Sequence, residues 1–384
     1  MSAGEASGDL QAALLLRALR RTRPGITCAG IGSERLRAAG ATIAADSTEW
    51  ASIGPVSAIA KIPSLYVTMR RTDAELRRAP PRVVVPIDFG AFNLRLLEQM
   101  RRSGYRGEII YYFPPGAWLD SEPQARAVAR LATPLTAFTR QRDFYHGLGL
   151  RCEYFGHPLV SAIAPRAAQA AEWPTAFGQP SSDGPRIVIF PGSRSEEIGR
   201  MLPVLARAAH ELSTSSSASF VIAGSSQRRS RQIQAVWRRS VSSEPPFVAR
   251  ATAIDDAMGA ADLAWVASGT AVLETALRAV PQIAFYAISS AQYRIAQRRI
   301  PQFVRGPLTL PNLLLGRTFV PELLQADLTM ERLVAQTREL LGDAGARTGQ
   351  LQGYAALREA LGPPDALERI ARFVAGSLDP VHAS

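Results

Sequence analysis

The chain has 384 residues, 47% of them hydrophobic and 20% charged, with a formal net charge of +11; this is apolar content enough for a packed core and length enough for two domains. No apolar run approaches the roughly 20 residues that cross a bilayer, and the first residues lack a basic segment followed by an apolar one, so a cytoplasmic protein is expected. Cys28, Cys152 and four histidines (His146, His157, His210, His382) are too few and too scattered for a disulfide framework or a metal site, and neither metal nor cofactor is expected.

The charge is carried almost wholly by arginine, Lys61 being the only lysine. Such an excess favours an anionic partner. Without zinc-finger spacing, an aromatic-basic RNA-reading strand or a zipper-type basic region, nucleic acid ranks behind a phosphorylated substrate or an acidic membrane surface.

Gly4-Glu5-Ala6-Ser7-Gly8-Asp9 leads into the helical pattern Leu10 to Arg21. Two glycines around a short polar turn, with Glu5 and Ser7 between them, let backbone approach a ligand at a helix N-terminus; an ordinary capped helix reads the same way. No strand run precedes this turn, so the first strand of the domain is expected to be missing, an uncorrected start site being the explanation. The stretch Pro63 to Arg71, continuing to Arg77-Arg78, sets apolar and aromatic residues beside arginines, which suits either a membrane interface or a solvated helix face over a core.

Asp88 follows the strand run Val83 to Ile87, where a carboxylate can act as general base or cap the helix that Phe92-Asn93 opens. A further run spans Glu108 to Tyr112. Gly156-His157-Pro158-Leu159 closes the first domain, and His157 could orient a substrate hydroxyl or serve as a hinge or packing residue. Between about Ser161 and Pro185 the pattern lapses into Ala, Pro, Ser, Gln and Gly, which reads as a linker.

Strand runs resume at Ile187 to Phe190, Phe220 to Ala223, Leu263 to Val266 and Gln282 to Tyr286, alternating with helical period. That rhythm predicts an α/β fold with parallel sheets covered on both faces, whose ligands sit beyond the carboxyl ends of the strands. At one such end, Pro191-Gly192-Ser193-Arg194 offers Arg194 as a planar cation for two phosphate oxygens, against a salt bridge to Glu197. At another, the strand, small-residue turn and helix order of Ala267 to Ala276 builds an anion-binding helix start, with Ser268 or Thr270 as its caps. A second arginine-rich cluster runs from Tyr293 to Ile300. Leu310-Pro311-Asn312-Leu313-Leu314 and Pro321-Glu322-Leu323-Leu324-Gln325 read as short proline-started helical turns, whose amides Asn312 and Gln325 often do no more than satisfy backbone groups. After about Asp327 the pattern is mostly helical. The expected division is thus a first domain over 1–160, a linker over 161–185, a second domain over 186–327 and C-terminal helices over 328–384.

Taken together, Gly4 to Asp9, Ile87-Asp88-Phe89-Gly90-Ala91-Phe92-Asn93, Gly156 to Leu159, Pro191 to Arg194, Ser268-Gly269-Thr270-Ala271-Val272-Leu273-Glu274 and Leu310 to Leu314 stand in the order and rough spacing of one family. The chain resembles lipid-A-disaccharide synthase from residue 3 to about residue 327. The resemblance implies a GT-B glycosyltransferase, two Rossmann-like domains facing a central cleft, acting without a metal and peripheral to the inner membrane as a homodimer or monomer, with the C-terminal helices packing back or exchanged in the dimer. Its reaction would join UDP-2,3-diacylglucosamine to 2,3-diacylglucosamine 1-phosphate, giving the β-1,6-linked disaccharide 1-phosphate and UDP. Carried over, Asp88 would assist deprotonation of the acceptor hydroxyl. Gly192, Ser193 and Arg194 with Ser268, Gly269 and Thr270 would hold the UDP-sugar, and Arg194 with the Ser268-Gly269-Thr270 turn would also act in catalysis by stabilising the charge that develops on the departing UDP. Glu274 would hold the ribose, and Asn312 and Gln325 would lie near that pocket. Glu5, Ser7, Asn93, Trp118 and His157 would line the acceptor side.

Three departures fall in the first domain. Gly90 and Ala91 stand where the family has proline and a second aspartate. The family's Ser-Pro-Ser-Val-Trp-Ala-Trp loop is replaced by Phe113-Pro114-Pro115-Gly116-Ala117-Trp118-Leu119, and its Pro-Phe-Glu turn becomes Thr139-Arg140-Gln141, without the acid. An intact donor half beside an altered acceptor half suggests a member with a different acceptor. Two other readings stand beside it: a UDP-sugar 2-epimerase, which would want a second clustered carboxylate, and a non-catalytic sugar-nucleotide or lipid-binding protein with Asp88 as a helix cap.

Overall fold

The computed structural model describes residues 1–48, 50, 55–116, 121–165, 173, 184–249, 251–299 and 306–379. Two compact units share the chain: residues 1–162 with 361–384 form the first, and 163–360 the second. Each contains a parallel sheet, as the alternation of β-branched runs and helical stretches predicts. Most of the expected linker, 161–185, lies outside the described residues.

The first unit's sheet comprises β1 (Ser2–Ala3), β2 (Ala29–Gly32), β3 (Thr42–Asp46), β4 (Val83–Val84), β5 (Pro86–Ile87), β6 (Glu108–Tyr112), β7 (Thr133–Thr136) and β8 (Glu153–Tyr154). They run in the order β3-β2-β1-β5-β6-β7-β8, with β4 paired to β6. The first strand, expected to be missing, is present as Ser2–Ala3 and sits between β2 and β5. Gly30 lets β2 come close to this segment: a Cβ at that position would lie 1.8 Å from the Met1 carbonyl oxygen. The close approach lets Met1 O accept from Ile31 N while Ser2 N donates to Val85 O, each at 3.0 Å.

Side chains alternate across the sheet, as the pleat requires. Val85, Ile87, Ile110 and Tyr112 face the helices Ala6–Thr22 and Ala366–Gly376, where Leu15, Leu16, Leu19, Ile370 and Val374 complete a buried cluster. Val84, Ile109 and Tyr111 face the other way, against Phe92, Leu96 and Leu97 of the helix Gly90–Arg102. The C-terminal helices are therefore divided rather than a block. Met330–Gly342 packs on Ser195–Ser216 inside the second unit, whereas Ala366–Gly376 returns to the first.

The second sheet has the order β11-β10-β9-β12-β13-β14, all parallel, from β9 (Arg186–Phe190), β10 (Ser219–Ala223), β11 (Phe247–Ala249), β12 (Leu263–Ala267), β13 (Gln282–Tyr286) and β14 (Glu322–Leu324). Leu310–Leu315 forms the short helix expected of it. Glu322–Leu324, expected as a helical turn, is instead an edge strand pairing with Ala284, Phe285 and Tyr286. Sheet pairing outweighs the local preference there, since unpaired donors and acceptors on β13 would otherwise line a buried edge.

Asp9 explains the last position of the Gly4 to Asp9 turn. Its buried carboxylate accepts from Ser33 N and Ser33 Oγ, each at 2.6 Å, and from Arg35 N at 3.0 Å, so it caps the neighbouring helix Glu34–Ala38. Asp9→Ala is expected to lose about 2–3 kcal/mol, the worth of charge-assisted bonds to a buried group, read as a lower denaturant midpoint.

Candidate active site

Each unit gathers functional side chains beyond the carboxyl ends of its own strands. In the first, β5 ends at Asp88, and both Asp88 and Phe89 are left-handed, with φ of 49° at each. Non-glycine residues there cost on the order of 1–3 kcal/mol each and persist only where their surroundings over-determine them. Three bonds do so: Asp88 O accepts from Asn93 Nδ2 at 2.8 Å and from Tyr111 Oη at 2.9 Å, while Asp88 N donates to Tyr112 O at 3.2 Å. Asn93 Oδ1 in turn accepts from Ser2 Oγ at 2.6 Å. The Phe89 ring lies against Trp50 and Phe92 and fills the space beside Gly4, where a Cβ would come within 2.2 Å of it.

The Asp88 carboxylate is accessible to solvent yet closely surrounded by protein. Desolvation, then the neighbouring charge of Glu5, push its pKa up to about 6. Such a carboxyl is poised near neutrality to take a proton. Tyr111, raised by burial and by Asp88, stays protonated and remains a donor. Glu5 immediately precedes the helix Ala6–Thr22 and Ser7 lies in its first turn, both half-buried.

Two expected acceptor-side residues take other roles. Asn93 is wholly buried and its amide is occupied by Ser2, Ile87 and Asp88, so it shapes the Asp88 loop instead of meeting a ligand. His157 is 2% exposed, its Nδ1 accepts from Leu159 N, and its ring packs on Phe113 and Phe138. Burial drives its pKa down to about 3, leaving a neutral packing residue. Trp118 lies outside the described residues.

The second unit offers two helix starts, and they differ. At Ser195–Ser216, Glu197 Oε2 accepts from Ser193 N at 3.0 Å and Arg194 N at 3.1 Å, and Glu197 Oε1 meets Arg194 Nη1 at 3.0 Å. Glu197 therefore occupies the backbone donors expected to hold phosphate at Ser193 and Arg194. Gly192, with φ of 105°, makes room for it: a Cβ would sit 2.6 Å from Glu197 Oε2. At Thr270–Leu277 no side chain caps the start, contrary to the cap expected of Ser268 or Thr270, and nothing lies within 4 Å of a Cβ built on Gly269. Backbone donors and the helix dipole are thus presented to an anion at this second turn, with half-buried Glu274 one helical turn on.

Asn312 is buried, and its amide is saturated by Phe319 N, Val320 N, Val320 O and Glu322, so the nucleotide contact expected of it is replaced by a loop-closing role. Gln325 is left-handed, with φ of 54°, and accepts from Ile288 N at 3.3 Å. Tyr286, at the end of β13, went unnoticed in the sequence. It hydrogen-bonds with Glu197 and Arg194, and burial, then Glu197, raise its pKa. The strand-end rule applied to Gln282 to Tyr286 was the signal that pointed to it. Among the described residues no three His, Cys, Asp or Glu side chains gather as a metal site.

Comparison with known proteins places these features in context. A family model described as lipid-A-disaccharide synthetase matches residues 1–363. The lipid-A-disaccharide synthase of Anaeromyxobacter sp. (strain K) is 33% identical over 378 residues, covering 97% of this chain and 96% of that one. That of Syntrophus aciditrophicus (strain SB) is 31% identical over 374 residues, covering 96% and 94%. Among solved structures, UDP-GlcNAc 2-epimerase from Neisseria meningitidis bound to UDP-GlcNAc superposes with a TM-score of 0.63 at 10% identity, covering 98% of both chains. Acinetobacter baumannii MurG gives 0.53 at 15%, also covering 98% of both. These structural likenesses are of fold, and the fold class is GT-B.

An ionised Asp88 opposes folding, because its pKa of about 6 lies above the ordinary 3.8 and the folded chain holds the proton more tightly. Asp88→Asn is therefore expected to raise the melting temperature above pH 6, with the gain shrinking as pH falls towards 3.8, in thermal unfolding across that range.

Proposed function

The chain belongs to the lipid-A-disaccharide synthetase family, and from that premise we propose how its residues divide the labour of the family's reaction. It is a UDP-sugar glycosyltransferase that condenses UDP-2,3-diacylglucosamine with 2,3-diacylglucosamine 1-phosphate, yielding lipid A disaccharide 1-phosphate and UDP. The acceptor's hydroxyl oxygen forms the new bond to the donor's anomeric carbon as the bond from that carbon to the diphosphate oxygen breaks. Asp88 takes the hydroxyl proton. Negative charge grows on the departing UDP, and the uncapped turn Ser268-Gly269-Thr270 supplies the backbone donors of Gly269 and Thr270 towards it, Ser268 N being bonded to Phe285 O. Arg194 contributes through its guanidinium, oriented by Glu197, while Glu274 is the candidate partner for ribose.

The observation that carries this reading is Asp88: an accessible carboxylate with a pKa of about 6, held in a strained loop by three bonds to its own backbone. A helix cap needs none of that. The relatives matched across the chain bear the standard activity in their names, and nothing among them favours a different acceptor or a non-catalytic role. The epimerase likeness is one of fold alone.

The reading extends to an anionic membrane surface, where acylated substrates reside. On the helix Pro55–Arg78, Ile62, Tyr66 and Val67 are 57%, 56% and 48% exposed, and Arg70, Arg71, Arg77 and Arg78 are exposed beside them. Apolar tips beside cations suit the headgroup boundary. No described helix is long and apolar enough to cross a membrane. The second cluster, Tyr293 to Ile300, lies partly outside the described residues.

With UDP-diacylglucosamine and the standard acceptor, Asp88→Asn is expected to lower kcat roughly 100- to 10,000-fold while leaving UDP affinity in calorimetry unchanged. The wild-type kcat/KM should fall as pH drops through about 6, and Glu5→Gln should move that limb downward; wild-type activity in Asp88→Asn would refute the assignment. Sedimentation with anionic liposomes should weaken as salt rises and weaken further in Ile62→Ser/Tyr66→Ser.

A further inference from the structure

The three sequence departures of the first unit meet in one place. Gln141 is 2% exposed. Its Nε2 donates to Pro114 O at 2.9 Å and Pro115 O at 3.4 Å, and its Oε1 accepts from Thr136 Oγ1 at 2.6 Å. Pro115 in turn lies against Gly90, where a Cβ would stand 2.5 Å from Pro115 Cβ. Gly90 is the first residue of the helix that follows the strained pair Asp88-Phe89.

These contacts demand one another. Proline has no N–H to donate, so the loop Pro114-Pro115 turns carbonyl oxygens towards residue 141, and a carboxylate there would bring acceptor against acceptor. An amide supplies the donor. With the ring of Pro115 set down beside residue 90, a side chain at that position has no room, and glycine resolves the conflict.

We propose that Gln141 is a positioning residue that fixes the Phe113-Pro114-Pro115-Gly116 loop against Gly90, forming a specificity-determining wall beside Asp88 on the acceptor side. The proposal rests on the reading of Asp88 as the base that addresses the acceptor. The loop's remaining geometry serves the same end: Phe113 is left-handed with φ of 53°, its N–H donates to Leu135 O, and its ring packs on Tyr112, Phe138 and His157. Gly116, with φ of 88°, leaves space for the Gln124 amide, whose Oε1 would lie 2.7 Å from a Cβ there.

Two variants at Gln141 test this. Gln141→Glu removes the donor and adds a charge; Gln141→Met removes the donor alone. Both are expected to raise the acceptor KM about tenfold, the loss of one to two buried hydrogen bonds, with the donor KM and UDP affinity unchanged. The ratio of Gln141→Glu to wild-type activity should recover as pH falls through the carboxylate range, because a protonated carboxyl donates again to Pro114 O, whereas the Gln141→Met ratio should stay flat. The Cys152 thiol, which meets the Thr136 backbone and is pushed up to about 12 by burial, does not titrate there. Hydrogen exchange at Phe113 and Gly116 should quicken in both variants, a readout that needs no substrate. Unchanged exchange and acceptor KM in Gln141→Met would overturn the proposal, as would equal rises in donor and acceptor KM. Wild-type protein that turned over none of these substrates, while exchange quickened in both variants, would count against the proposed function and leave the loop's anchor standing.

Discussion

Every strand of a parallel sheet ends by releasing backbone donors and acceptors into a loop, and those groups must find partners near the protein's interior. In this chain buried polar side chains supply them. Asn93 gathers Ser2, Ile87 and Asp88; Asp9 reaches across to Ser33 and Arg35; Asn312 and Glu322 tie Leu308, Thr309, Phe319 and Val320. Because each anchor bonds several backbone groups at once, the loops above the sheets have defined shapes, and Asp88 can hold a conformation that its own residue type disfavours.

The same economy separates the two helix starts of the second unit. Both follow strands, both are rich in small residues, and both look in sequence like phosphate sites. At one, Glu197 lies three residues beyond Arg194 and folds back on the donors. At the other, the corresponding residue of the turn is apolar, and Gly269 at the cap leaves the donors uncovered. The residue three places beyond the cap, Glu197 at one start and Val272 at the other, thus decides which of two similar sequences is already filled by its own chain.

Much of the architecture was legible in sequence because buried parallel strands read as apolar β-branched runs, as at Ile187 to Phe190 and Leu263 to Val266. The short or polar strands were not. Ser2–Ala3, Ala29–Gly32 and Glu322–Leu324 carry no such run, and their state is set by neighbours in space. Asp88 was recognisable as a strand-end carboxylate, but its left-handed backbone is held by Tyr111 and Asn93, and its raised pKa comes from desolvation and then from Glu5. Asn93, Asn312 and His157 could be read either as ligand residues or as structural ones, because a polar residue in a loop motif looks the same whether it faces a substrate or bonds backbone. The Gln141 anchor was visible only as a lost acid, since the loop carbonyls it holds lie 26 and 27 residues away.

The helix Ala366–Gly376 lends Leu367, Ile370, Ala371 and Val374 to the same cluster as Leu15 and Leu19, more than 340 residues earlier. A ribosome makes those residues after it has made everything from 163 to 360. The second-numbered unit can therefore finish its interior during translation while the first-numbered one waits, the cluster beneath Ala6–Thr22 incomplete until Ala366–Gly376 emerges. Order of synthesis and order of completion run in opposite directions, and a nascent chain stalled shortly before residue 366 would expose a greasy surface to chaperones on its oldest part.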